Sequence, residues 1–378
     1  MTSLIQIGFP RRTVLVPLLS LGALLGSSSA PAATRDVFLR VDQFQIPANA
    51  FGNAAPITMW GFIQTDATFT PLPGAVASAP GPALQATEGD TLNLHVMNKL
   101  PTASATVYTE PISVVIPGQT PVLAPGTWPT WTDGTKGNRA GSLQRVRSFT
   151  TETATGATSI YTFANLKPGS FLYQSGTHPA VQVQMGLYGC LSVLPVAAGQ
   201  AYGDASTAFD SEVTLLFSEI DPAQHASIAA GHYGPNPPVS APADWLTSTI
   251  NYLPRYFLIN GAPWKPGALP IPAGVHGKKL LIRFLNAGLQ SRVPMLQGAY
   301  ALIVGEDGNF LTITDPAGRV VPAARQQYSV LLPAGKTIDA IVTTPAVAGR
   351  IPVYDRRLAL SNGGAASPGG MLVHLETH

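Results

Sequence analysis

The chain has 378 residues, long enough for two domains of ordinary size. Its 22 Lys and Arg against 20 Asp and Glu leave a formal charge of +2 with no basic cluster, which argues against nucleic acid as a partner. A single cysteine excludes an intrachain disulfide framework and a multi-cysteine zinc site, and 37 Gly with 35 Pro at 11% charged residues favour many short strands over long solvated helices.

Taken in chain order, the first element is a targeting segment. Arg11 and Arg12 precede an apolar run from Val14 to Leu25 that ends in Ser27, Ser28, Ser29 and Ala30. A charged start, a short apolar stretch and a small-residue end predict a signal peptide over residues 1–32, cut after Ala30 or Ala32. The expected location is periplasmic or secreted. PRRTVLV loosely fits a twin-arginine signal, and ordinary Sec export is the alternative. No later run is long enough to span a bilayer as a helix.

From Val37 the pattern is strand, turn, strand. DVFLRVDQFQI alternates, ITMWGFI follows, and Glu88-Gly89-Asp90 turns the chain into the alternating Thr91–Asn98 segment, where His95 reads as a structural polar residue. A Gly/Pro/Trp-rich loop from Thr120 to Ser142 is functional or mobile by its length, and Trp128 and Trp131 are expected to cover an apolar edge. The stretch KPGSFLYQSGTHPAVQVQMGLYGC, Lys167 to Cys190, is where a metal would sit. A strand around Phe171–Tyr173 leads into a polar loop carrying His178, and a second strand begins near Leu187. Gly186 and Gly189 bracket that start, as close backbone approach requires. PVAAGQAYGDASTAF then reads as a linker. SEVTLLFSEID opens a second series of strands, and PAQHASIAAGHYGPNPPVSAPADW is a loop or one short helix whose His225 and His232 are expected to be solvated. An all-β chain follows.

In this order the residues resemble the first two cupredoxin domains of a multicopper oxidase. MWGF followed by PGPALQATEGDTLNLHVMNKL is similar to that family's first-domain opening, and PGSFLYQSGTHPAVQVQMGLYGCLSV to its close. YFLINGAPW, LLIRFLNAG, IVGEDG, YSVLLPAGKTIDAIV and SPGGML resemble the second domain in the right order. The resemblance implies two consecutive Greek-key β-sandwiches, residues 33–196 and 211–378, with a linker over 197–210.

The resemblance also implies copper, and there the residues depart from the family. The family's first His-x-His pair, after the NKLP-type turn, corresponds here to Tyr108-Thr109-Glu110. The second follows the aromatic residue of the closing strand, where Tyr173 is followed by Gln174, Ser175, Gly176, Thr177 and His178. Counting back from Gly186, His178 takes the place of the second histidine and Gly176 or Gln174 that of the first. Two-domain relatives, copper nitrite reductases among them, need Cys beside His where Gln174-Ser175 stand. Cys190 reads as a buried structural thiol, and no Cys-containing third-domain motif follows. A trinuclear cluster needs many imidazoles and a blue copper needs a thiolate with two imidazoles, whereas the seven histidines here are scattered.

Three readings stay open. The first is an exported cupredoxin protein with degenerate copper sites and a non-catalytic binding or assembly role. The second is a mononuclear copper binder in periplasmic copper handling, its candidate ligands His178, Met185, Gln174 and Glu110, with Gln182 nearby. The third is a copper-dependent oxidoreductase whose site is completed between subunits. Copper is the one cofactor in view, and a protein partner or a homo-oligomer, a trimer included, is left open. The plainer alternative for His178 is a loop residue fixing its turn, and for Tyr108 and Glu110 ordinary strand-end polar groups.

Overall fold

The Thr91–Asn98 strand buries every second residue, Leu92, Leu94, Val96 and Asn98, as its alternating sequence requires of a strand with one face on a core. In the computed structural model, which describes residues 32–102, 111–123, 129–131, 146–234, 237–363 and 369–378, this strand is the third of a four-stranded sheet. Thr34–Ile46 lies beside it in parallel, Ile57–Gln64 pairs antiparallel on the far side of Thr34–Ile46, and Thr158–Phe163 closes the other edge. A second sheet of Leu84–Thr87, Tyr188–Leu194 and Gly169–Gln174 faces it. Leu39, Phe62, Leu94, Phe163, Phe171 and Leu191 fill the space between the two sheets. Each such side chain contributes about 1.5–3 kcal/mol by leaving water. Asp90 clasps the sharp turn at Gly89 (φ 83°) by accepting from the backbone N–H groups of Ala33 (2.9 Å) and Thr87 (3.0 Å).

The second half repeats this pairing rule by rule. Ser211–Ile220 lies parallel to Lys279–Asn286 and antiparallel to Tyr256–Ile259, as Thr34–Ile46 does to its two neighbours. Thr337–Thr343 stands for Thr158–Phe163, Gly349–Asp355 for Gly169–Gln174 and Leu372–Thr377 for Tyr188–Leu194. Ile271–Pro272 runs parallel to Leu372–Thr377 just as Leu84–Thr87 runs parallel to Tyr188–Leu194. The expected pair of cupredoxin-like sandwiches is what forms.

One sequence feature explains how the halves meet. KLLIRFLN does not alternate, and from Leu280 onward every residue of that strand is buried. One face packs into the second core with Leu280, Ile282 and Phe284. The other carries Leu281, against Ala201 and Tyr202, and Leu285, against Leu172, Val183 and Tyr188. A strand covered on both sides loses its polar face. Arg283 shares that inter-half face, with its guanidinium bonded to Glu212 (2.9 Å) and the Ser170 hydroxyl (3.1 Å) and lying 3.7 Å from Asp339. Tyr202 donates to Asp339 (2.6 Å), so the segment expected to be a plain linker is packed into the seam. Residues 32–378 form one compact unit.

Residues 1–31, the Tyr108 and Glu110 positions, Trp128, the Trp131 side chain and most of the Thr120–Ser142 loop lie outside the described residues. Among those described, no helix is long and apolar enough to cross a membrane.

Candidate functional site

The Gly169–Gln174 and Tyr188–Leu194 strands pair with Tyr173 opposite Gly189. The Tyr173 ring fills the space a side chain at Gly189 would need, and its hydroxyl donates to Pro82 O at 2.7 Å. A Cβ at Gly186 (φ 122°) would run into the Trp60 carbonyl, because Trp60 N donates to Met185 O at 2.7 Å. Both glycines are therefore fixed by close approach, as their spacing suggested.

Between the strands the chain makes a turn and one short helix, α1 (Pro179–Gln182). His178 stands at its N-cap with φ 37° and ψ 61°, and its backbone N donates to Arg147 O at 2.9 Å. Gln182 is fully buried, with its amide nitrogen on Pro111 O (3.0 Å) and its amide oxygen accepting from Ser175 (2.6 Å). Met185 is fully buried in the first hydrophobic core. Gln174 exchanges both backbone hydrogen bonds with Val115, at 2.9 and 3.0 Å. The residue abreast of Gln174 is thus Val115, a position the sequence reading passed over. Glu110 lies outside the described residues.

Below this strand end sits a buried hydroxyl cluster. Ser113, Ser148 and Thr177 have no solvent exposure, and their oxygens lie 2.9 Å (Thr177–Ser113), 3.0 Å (Thr177–Ser148) and 3.3 Å (Ser113–Ser148) apart. Thr177 also reaches Glu152 at 3.3 Å, and Ser148 donates to Thr150 O at 2.8 Å. Each hydroxyl carries one proton. Ser148 gives its proton to Thr150 and Thr177 can give its own to the carboxylate, leaving Ser113 to close the triangle. Arg147 donates to the same Glu152 oxygen at 3.0 Å and balances its charge. Nothing in the local pattern of the sequence announced this cluster, because its members come from three separate segments.

The chemistry on offer is hydroxyl, amide and one paired carboxylate. Among the described residues no group of three or more His, Cys, Asp or Glu comes together to hold a metal. The histidines other than His178 lie elsewhere in the fold. His95 bonds Asp36 (2.7 Å) and stacks on Phe38, His232 bonds Asp244 (2.9 Å), His276 bonds the carbonyl of His378 (2.8 Å), and His374 lies by Trp264. His225, expected to be solvated, is 1% exposed because its segment folds into a helix against the first sandwich. Burial pushes the Cys190 thiol up to about 11, so it is protonated at neutral pH and offers no thiolate.

Beyond Val115 the chain passes Pro117 and Gly118, which line a cleft of about 330 Å³ with Leu172, Asp307, Lys336 and Thr337 of both halves. Among the described residues lining it, Lys336 is the one cation, held by Asp307 (2.8 Å) and Glu306 (3.0 Å).

The corresponding strand end of the second half is put to another use: Tyr354 stands opposite Leu372 as Gln174 stands opposite Tyr188, and Asp355 follows it as Ser175 follows Gln174. Asp355 there pairs with Pro294 and accepts from Val293 N at 2.9 Å. Arg292 lies between Asp355 (3.3 Å) and Glu219, and stacks over Phe257.

No family model matches the chain. It is 26% identical over 278 residues to L-ascorbate oxidase of Brassica rapa subsp. pekinensis, covering 67% of this chain and 41% of that protein. It is 29% identical over 182 residues to L-ascorbate oxidase of Cucurbita maxima, covering 48% of this chain and 25% of that protein. The chain thus spans less than half the length of the curated relatives it matches. Its fold superposes on a blue copper oxidase from Nitrosomonas europaea with a TM-score of 0.60 at 18% identity, over 91% of this chain and 86% of that one. The chain is related to the multicopper oxidases. A copper nitrite reductase from Nitrosomonas europaea shares the architecture too, with a TM-score of 0.56 at 18% identity over 91% and 94% of the two chains. The multicopper oxidase relationship rests on sequence similarity and on the shared fold.

Proposed function

We propose that this chain is an exported, cupredoxin-fold relative of the multicopper oxidases in which the copper positions have been given over to structural contacts, and that it acts through binding or assembly. The observation that carries this reading is the Gln174 strand end. Val115 faces it through the backbone, Gly176 follows, and the space below is closed by Ser113, Ser148 and Thr177. Hydroxyls and amides are poor replacements for the neutral imidazoles and thiolate of a redox-active copper centre. Met185 is fully buried in the first hydrophobic core, so its thioether is engaged in apolar packing.

Metal analysis tests this directly. The mature protein, purified from a copper-supplied exporting host, is expected to carry well under one equivalent of copper, to be colourless, and to melt at the same temperature with or without added Cu(I) or Cu(II). One equivalent or more, lost on His178→Ala, would favour the mononuclear copper reading. Copper that appears only in an oligomer, together with oxidase or reductase activity, would favour a site completed between subunits.

A further inference from the structure

Helix α2 (Pro222–Ala229) belongs to the second half of the chain and lies against the first. Its start is written in the sequence, with Pro222 at the first turn and Asp221 as cap, accepting from Ala223 N at 2.9 Å. Gln224 and His225 are each 1% exposed. Gln224 donates to Ala180 O in α1 at 3.2 Å, and His225 Nδ1 lies 2.7 Å from Thr58 O on the Ile57–Gln64 strand. A carbonyl can only accept, so Nδ1 carries the proton and, in the neutral ring, Nε2 is a bare acceptor. That Nε2 is buried without a hydrogen-bond partner.

The groups around the ring decide what a second proton would do. Neither the Ile57–Gln64 strand nor the 179–187 stretch contains an ionisable side chain. The charged group acting on the ring is Asp221, at the head of its own helix, whose oxygens are taken up by the N–H groups of Ala223 and Leu253 (2.8 Å). Burial lowers the pKa of His225, and the smaller upward pulls of the Thr58 and Gln184 carbonyls and Asp221 do not reverse this. A charge placed on this ring has little to compensate its desolvation.

We propose that His225 is an acid-released latch, which ties α2 to the first sandwich while neutral and frees it when protonated. The adjoining cleft fits that motion. About 350 Å³ of space, lined by Ile57, Thr58, Pro222, Ala226, Ala229 and Tyr256, already runs along the same α2 contact and widens if the helix lifts. The sign follows from linkage. A histidine whose folded pKa is depressed contributes stability that is complete above its unfolded value of about 6.5 and is lost as pH falls below it.

Hydrogen exchange on the full chain between pH 8 and 5, corrected for the intrinsic rate, reads the latch. In the wild type, exchange over residues 222–230 is expected to rise by on the order of tenfold for each pH unit by which the folded pKa lies below the unfolded one. His225→Asn keeps a donor for Thr58 O without a titrating ring, so its exchange should be flat over the same range. A flat wild-type profile, or an equal rise in the variant, overturns the proposal. Should the variant fail to fold, the imidazole titration of the wild type followed by NMR decides. A midpoint below the ordinary histidine range, at which the rise in exchange levels off, supports the latch, and an ordinary midpoint or a rise unrelated to it refutes the proposal.

Discussion

The two sandwiches share their pairing rules but fill one equivalent place in opposite ways. At the strand end of the first half, Gln174 faces Val115 above neutral hydroxyls. At the strand end of the second, Asp355 joins Glu219 around Arg292, all three with side chains no more than 1% exposed. Glu219 also accepts from Leu289 N and Gln290 N at 2.9 Å each, so the charges are both paired and hydrogen-bonded. The lesson is that one topology leaves a polar pocket near this strand end, and that local residues decide whether charge or hydroxyl occupies it.

The largest effect should come from breaking the charged version. Arg292→Met leaves two buried carboxylates unpaired and is expected to cost about 3–5 kcal/mol, read as a lowered denaturant midpoint. A loss below about 1 kcal/mol would mean that the ion pairs contribute little net stability beyond the desolvation they carry. Thr177→Val strikes the hydroxyl version, removing a donor from Glu152 and a partner from Ser113 and Ser148. The expected cost is about 1–3 kcal/mol, smaller because no net charge is stranded. Equal losses for the two variants would erase the distinction between the pockets.

Acid titration adds a third comparison. Burial raises the Asp90 carboxyl, but Arg35 and the N–H groups of Ala33 and Thr87 pull it below the ordinary range. Its folded pKa is below the unfolded one, so its contribution is full above about pH 3.9 and fades as pH falls through the folded value. Asp90→Asn should flatten the stability profile below about pH 4 while leaving the histidine step below about pH 6.5 unchanged. Differential scanning calorimetry across pH would separate the two. Smallest of all is the exposed pair Arg350–Glu376 (2.9 Å, side chains 58% and 46% exposed). Arg350→Ala should change stability by under about 1 kcal/mol, with any effect weakening as salt is added.

Much of the architecture was legible because it rests on short-range rules. Strict alternation in TLNLHVMN announced a one-faced strand and Gly186 and Gly189 marked close approach, whereas KLLIRFLN, apolar but for Arg283 and its two ends, was legible as a strand and only the fold showed it covered on both faces. The absence of a thiolate beside a histidine was equally plain from Gln174-Ser175. The site was less legible. The His225 segment read as a loop or one short helix with His225 solvated, and the helix forms, but only packing against the Ile57–Gln64 strand shows which face is buried. Likewise, Val115 gives no local sign that it lies abreast of Gln174.

The sequence by itself determined the class of the chain, its two-fold series of strands and the poverty of its soft metal donors, since these depend on residue type and period. Tertiary structure alone decided what surrounds the Gln174 strand end. Ser113, Ser148 and Thr177 are far apart in the chain, and their hydroxyls meet only because three segments converge beneath one strand end. The same holds for His225, whose ring faces a carbonyl 167 residues away. Spacing along a chain records local conformation, whereas the environment of a buried polar atom is set by whatever the fold brings against it.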